Sequence, residues 1–241
     1  GAEGRSLLTL KDLLFPRRCP VCDRPVKPAG DLICAECRPK LKYVRQPLCM
    51  KCGKQLADSQ QEYCADCAHK KHVYDRGISL YQYRSVQNAI YRFKYGGRRE
   101  YAEFLGGEMA ARLGPQILAW KPDALVPVPL HEKRLQRRGY NQAGLLAEEI
   151  GRRLGICVLS DWIGREKNTV PLKQLDVPER QNNLKKAFKI RRDDVKLNTI
   201  VIIDDIYTTG STVDEIAAEC RRKGVRAIYF AALSAGSGPP R

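Results

Sequence analysis

From residue 77 onward the chain alternates between short apolar runs and longer stretches with apolar residues on one helical face. The runs GISLYQY (77–83), ALVPVPL (124–130), ICVLS (156–160), TIVIID (199–204) and RAIYFAAL (226–233) are rich in Val, Ile and aromatic residues and lack strict alternation. That pattern predicts strands covered on both faces. Residues 85–95, 100–113, 142–154 and 211–223 carry the helical stripe, and Gly224 supplies a stop for the last of them. Strand and helix in alternation predict an α/β fold with a doubly wound, mostly parallel sheet over residues 76–235, followed by a flexible tail at 236–241. Ligands of such sheets bind outside the carboxyl ends of the strands.

Before residue 76 the grammar differs. SLLTLKDLLF (6–15) predicts a short amphipathic helix, and cysteines then take over as Cys19, Cys22, Cys34, Cys37, Cys49, Cys52, Cys64 and Cys67. Each half is CxxC, eleven residues, CxxC, and the second half repeats the first thirty residues later. A CxxC turn aims two sulfurs at one ion, and two such turns close the tetrahedral sulfur shell of a structural zinc. Four thiolates leave no open position for catalysis, so residues 1–75 read as a module with two structural zinc sites. Consecutive pairs would give two ribbons in series and alternate pairs a cross-brace; the internal repeat favours the serial arrangement. His69 and His72 are expected at the surface, and Cys157 and Cys220 as small buried hydrophobes.

The 241 residues suffice for one sizeable core with an appended module, and neither an 18-residue apolar run nor a secretory signal pattern is present. A cytoplasmic protein without a membrane span is the expectation. The formal charge of +16 points to a polyanionic partner. It concentrates at 92–99 (+4), 132–138 (+3) and 165–192 (+6).

IVIIDDIYTTGST (200–212) joins a buried strand to two adjacent acids and a turn of hydroxyl residues and glycine. At the start of a helix, unpaired N–H groups and the hydroxyls of Thr208, Thr209, Ser211 and Thr212 attract a phosphate, and Gly210 allows close backbone approach. A phosphate alone would be repelled by Asp204 and Asp205. A sugar phosphate resolves the conflict, because its hydroxyls donate to the carboxylates while its ester occupies the turn. No GxxxxGK[ST] and no GxGxxG between strand and helix is present, which removes the main support for an ATPase or a dinucleotide-dependent dehydrogenase.

This stretch resembles the phosphoribosyl pyrophosphate motif of type I phosphoribosyltransferases over all thirteen positions. Three further segments, LLFPRRCPVC (13–22), FKYGGR (93–98) and VPVPLHEKRLQRRGYNQAGLLA (126–147), are similar to the ComF family, which couples a double zinc ribbon to a phosphoribosyltransferase domain and is associated with competence and DNA uptake. The resemblance implies a type I phosphoribosyltransferase-like fold. It assigns Asp204 and Asp205 to the ribose hydroxyls as the catalytic pair, 208–212 to the 5′-phosphate, and Pro127, Val128 and Pro129 to pyrophosphate. It further implies magnesium bound with phosphoribosyl pyrophosphate, and partners in DNA import, a helicase or other competence proteins. Lys94, Arg134, Arg138 and Arg165 would assist a departing pyrophosphate, and His131 is expected as a loop residue rather than a base. Two readings stay open: a sugar-phosphate binder that acts with single-stranded DNA, or an active transferase with a small nitrogen acceptor. For the DNA partner, Lys94, Arg98, Arg99, Lys133, Arg134, Arg137, Arg138 and Tyr140 combine charge with an aromatic ring, as strand-binding grooves do. ERQNNLKKAF (179–188) departs from the family pattern, with Lys186 where relatives more often carry glycine.

Overall fold

The computed structural model describes residues 16–166, 187–192 and 194–236. The N-terminal helix expected at 6–15, the departure at Lys186 and most of the tail lie outside them. Four strands, β1 (Arg76–Gln82), β2 (Ala124–Pro127), and two long ones here numbered β5 (Thr199–Tyr207) and β6 (Ala227–Ala235), form one sheet in the order β1-β6-β5-β2. Every pairing in it is parallel. A separate antiparallel pair joins β3 (Ile163–Arg165) to β4 (Phe188–Ile190). The helices are α1 (Ala65–His69), α2 (Tyr83–Tyr95), α3 (Tyr101–Ala119), α4 (Glu132–Arg138), α5 (Gln142–Leu154) and α6 (Ser211–Arg222).

Alternate residues of β5 feed two cores. Val201 and Ile203 pack with α2, α3 and α5 and with the first cysteine ribbon; Ile200 and Ile202 pack with α6, the β3–β4 pair and the second ribbon. Both faces are therefore covered, which is why the strands read as apolar runs rather than alternating ones. Helix α5 has the bounds its stripe predicts: Asn141 accepts from the Ala143 amide to start it, and Gly155 ends it in the left-handed region. Helix α6 buries Val213, Ile216, Ala217 and Cys220, the spacing of one helical face.

Several expectations are corrected. Residues 156–160 form no named strand; only Val158 bridges to Leu125. Helix α3 runs through Pro115 to Ala119, because a proline removes one hydrogen bond while burial of Ile117 beyond it holds the extra turn in place. Cys157 is exposed, whereas Cys220 is buried as expected. The His72 side chain is fully buried rather than at the surface.

Candidate functional site

Cys19, Cys22, Cys34 and Cys37 converge in one cluster and Cys49, Cys52, Cys64 and Cys67 in another, all sulfurs of a set lying within 4.8 Å of one another. The pairing is thus serial, not cross-braced. Four ligands at a zinc–sulfur distance of about 2.3 Å in a tetrahedron place sulfurs about 3.8 Å apart. The Cys22–Cys34 and Cys52–Cys64 separations are 4.0 and 3.7 Å, so the donor sets fit zinc. The Lys27 amide points at the Cys34 sulfur at 3.3 Å, the kind of outer contact that supports a thiolate. Burial alone would raise the Cys19 thiol, but the amides of Cys22, Cys34 and Val21 outweigh it and bring it to about 7; Cys49 is brought to about 7 in the same way by Cys52, Cys64 and Lys51. Among the described residues no other cluster of His, Cys, Asp or Glu has such geometry.

The two acids lie near the carboxyl end of β5, both buried. Asp204 accepts the Asp205 amide at 2.8 Å. Asp205 receives the Lys94 ammonium at 2.5 Å on one oxygen and the Gln142 amide at 3.2 Å on the other. Burial, and then the neighbouring Asp205 charge, hold the Asp204 carboxyl well above the ordinary carboxylate range. Of the two, Asp205 has Lys94 as its ion-pair partner, whereas Asp204 has no cation in contact. Asp204 also lines a cavity of about 90 Å³ with Thr208, Thr209, Gly210, Ser211 and Thr212. Gly210 has φ 77°, and a Cβ there would stand 2.8 Å from the Tyr207 hydroxyl and 3.1 Å from the His72 ring. The hydroxyls of Thr209 and Ser211 are 3.0 Å apart at the rim. Asp204 and the hydroxyl turn thus share one cavity, at the end of the sheet where α/β ligands bind, while Asp205 is turned to Lys94 and Gln142.

Pro127 ends β2, and the next two residues follow it toward α4. Pro127 and Pro129 have no amide hydrogen, and the Val128 amide is spent on the Ile203 carbonyl at 2.9 Å. The Val128 carbonyl accepts Asn141 at 3.0 Å. This segment offers an anion no free amide, so donors to a diphosphate have to come from other residues. His131 caps α4 by accepting the Lys133 amide, the structural role of a loop residue.

The basic residues separate into two groups. Lys133, Arg134 and Arg137 on α4, and Arg99, are exposed. Lys94 is turned inward to Asp205, and Arg98 forms a two-pronged ion pair with Asp23 at 2.8 and 3.0 Å. Both are thereby engaged within the protein rather than offered to a DNA strand. So is Tyr140, which is buried against Phe93 with its hydroxyl donated to the Phe93 carbonyl. Arg165 lies on β3 over the Phe188 ring. Sequence reading missed Tyr91 and Tyr95, whose rings lie 5.2 Å apart and are 65% and 58% exposed. Arg138 sits over the Tyr95 ring and also meets Gln142, so this exposed face adjoins the acids. Their i, i+4 spacing on a helix was the available signal. Gln142 was missed too, because its bond to Asp205 spans 63 residues and no sequence pattern records it.

Residues 10–68 match the double zinc ribbon domain family. The chain is similar to DNA utilization protein YhgH of Escherichia coli K12, with 32% identity over 67% of this chain and 73% of that one. It is also similar to competence protein F of Haemophilus influenzae, with 38% identity over 47% of this chain, and that match spans half the length of the relative. Among solved structures, a hypoxanthine phosphoribosyltransferase from Staphylococcus aureus aligns with TM-score 0.32 and 14% identity over 56% of this chain and 62% of its own.

Proposed function

The chain belongs to the ComF/YhgH family of competence and DNA utilization proteins, and from that premise we propose that it binds phosphoribosyl pyrophosphate with magnesium and acts with single-stranded DNA in DNA uptake. The observation that carries the sugar-phosphate part is the cavity shared by Asp204 and the 208–212 turn. One wall accepts hydroxyl hydrogens and the other offers hydroxyls and helix-start amides, which is the polarity of a pentose 5-phosphate. Magnesium would enter with the diphosphate, held by the ligand's oxygens and water, as it usually keeps much of its water shell.

Calorimetric titration of the zinc-loaded chain with phosphoribosyl pyrophosphate and magnesium tests this reading. Binding by the wild type, and at least ten-fold weaker binding by Asp204→Asn/Asp205→Asn, is the expected result; equal affinity in both proteins overturns it. Pyrophosphate release with a panel of nitrogen nucleophiles then separates a binder from a transferase. A binder releases none. The DNA part is supported by the names of the relatives, by the exposed Tyr91 and Tyr95 with Arg138 over the Tyr95 ring, and by the exposed Lys133, Arg134 and Arg137 on the same helix as Arg138.

A further inference from the structure

The second ribbon does more than sit on the sheet. Its Cys49–Cys52 turn bonds to β1, where the Gly77 amide donates to the Lys51 carbonyl at 2.9 Å, and it packs so closely that a Cβ on Gly53 would stand 2.5 Å from the Gly77 oxygen. Cys49 and Cys52 share a core with Tyr74, Tyr207 and Phe230. The Tyr74 and Tyr207 hydroxyls are bonded at 2.7 Å, and Tyr207 lies beneath Gly210.

The segment leaving the ribbon then grips the helix that begins at the hydroxyl turn. Asp214, in the first turn of α6, receives the Lys70 ammonium at 2.9 Å, the His72 Nδ1 at 2.8 Å and the Val73 amide at 2.8 Å. The Asp214 amide itself donates to the Gly210 carbonyl at 2.8 Å. His72 is stacked on Tyr74 at 4.8 Å, its ring faces Gly210, and its Nε2 is buried with no partner among the described residues. One carboxylate thus ties three donors from the ribbon's exit to the residue pair that shapes the turn. Among the described residues, none of the polar contacts of the first ribbon reaches this turn. Its contacts run to the other face, through Asp23 to Arg98 and Tyr101 and through Val21 to Arg92.

We infer that the second zinc ribbon is a built-in part of the phosphate turn, with His72 and Asp214 as positioning residues that hold Gly210 in its left-handed conformation. Loss of the second metal site releases the turn; loss of the first leaves it in place. The consequence for ligand affinity rests on the sugar-phosphate reading above, while the consequence for the turn itself does not.

The test uses the full zinc-loaded chain and four proteins: wild type, His72→Phe, Cys64→Ser/Cys67→Ser and Cys34→Ser/Cys37→Ser. Phe keeps the ring on Tyr74 and removes the bond to Asp214, so it remains informative if a cysteine variant fails to fold. Amide hydrogen exchange of residues 207–214 is the primary measurement. Expected are at least ten-fold faster exchange in His72→Phe and in the second-ribbon variant, wild-type rates in the first-ribbon variant, and two zinc ions retained in His72→Phe. Titration with phosphoribosyl pyrophosphate and magnesium should show at least ten-fold weaker affinity in the same two variants. Unchanged exchange in His72→Phe, or equal loosening when the first ribbon is broken, overturns the inference. If the wild type binds no phosphoribosyl pyrophosphate, the sugar-phosphate reading fails and the exchange rates alone still decide this one.

Discussion

Asp204 and Asp205 are neighbours in the chain with different environments. Asp205 has a cation and an amide to hold its charge, whereas Asp204 is buried beside that charge and stays protonated above the ordinary carboxylate value. The folded state therefore binds more protons than the unfolded chain from about pH 3.8 upward, and stability falls as the pH rises through that window. Replacing Asp204 with Asn removes this penalty. Asp204→Asn should melt higher than wild type at neutral pH, with the difference shrinking on acidification, while sugar-phosphate binding is lost; thermal melts across pH 4 to 8 check it, and a lower melting temperature at pH 7 contradicts it. The acids themselves were legible in the sequence as part of a contiguous motif. Lys94 as their counter-ion was not, because it arrives from a helix more than a hundred residues away.

At the scale of elements, α2 and α4 carry the exposed rings and cations of the proposed nucleic-acid face. The basic character of both was readable from composition, but the choice of aromatic residue was not: Tyr140 follows the arginine-rich stretch in the chain and still points into the core, while Tyr91 and Tyr95 point out. Lys133, Arg134 and Arg137 on the seven-residue α4 are exposed, and Arg138 of the same helix lies over the ring of Tyr95, which with Tyr91 forms an exposed aromatic pair. Tyr91→Ala/Tyr95→Ala should weaken single-stranded DNA binding by about 1–3 kcal/mol per stacked base. Arg134→Glu/Arg137→Glu should reduce the slope of log affinity against log salt by ~0.7 for each phosphate contact removed. Fluorescence titration with a short oligonucleotide over a salt series reads both, and Tyr140→Phe serves as the comparison that leaves stacking untouched.

For the molecule as a whole, the two ribbons dock on opposite faces of the sheet, and the first is anchored through Asp23. Arg98 lowers the Asp23 carboxyl below its ordinary range, burial works against this, and Tyr101 adds to it. That contribution is present above the ordinary value and is lost as the pH falls through the depressed one. Arg98→Ala leaves Asp23 with the Tyr101 hydroxyl alone and should cost about 1.5–3 kcal/mol, a charge-assisted bond's usual share. The loss should appear in denaturant unfolding at pH 7 and shrink as the pH falls below the ordinary carboxylate range; a variant as stable as wild type at pH 7 would show that the Arg98–Asp23 pair adds nothing to the anchorage of the first ribbon.

The sequence by itself determined what is local or periodic: two metal clusters from cysteine spacing, an α/β sheet from alternating strands and helices, the bounds of α5, and an acidic pair followed by a hydroxyl turn. These follow from short-range geometry, in which a CxxC turn, a helical stripe or a strand-to-helix bend needs only its own residues. Tertiary structure decided the rest. It paired Lys94 with Asp205, turned Tyr140 inward, and joined the second ribbon to the turn at Gly210 through Asp214. His72 and Asp214 are 142 residues apart, and no local pattern records a contact made only when the second ribbon and α6 close on the same face of the sheet.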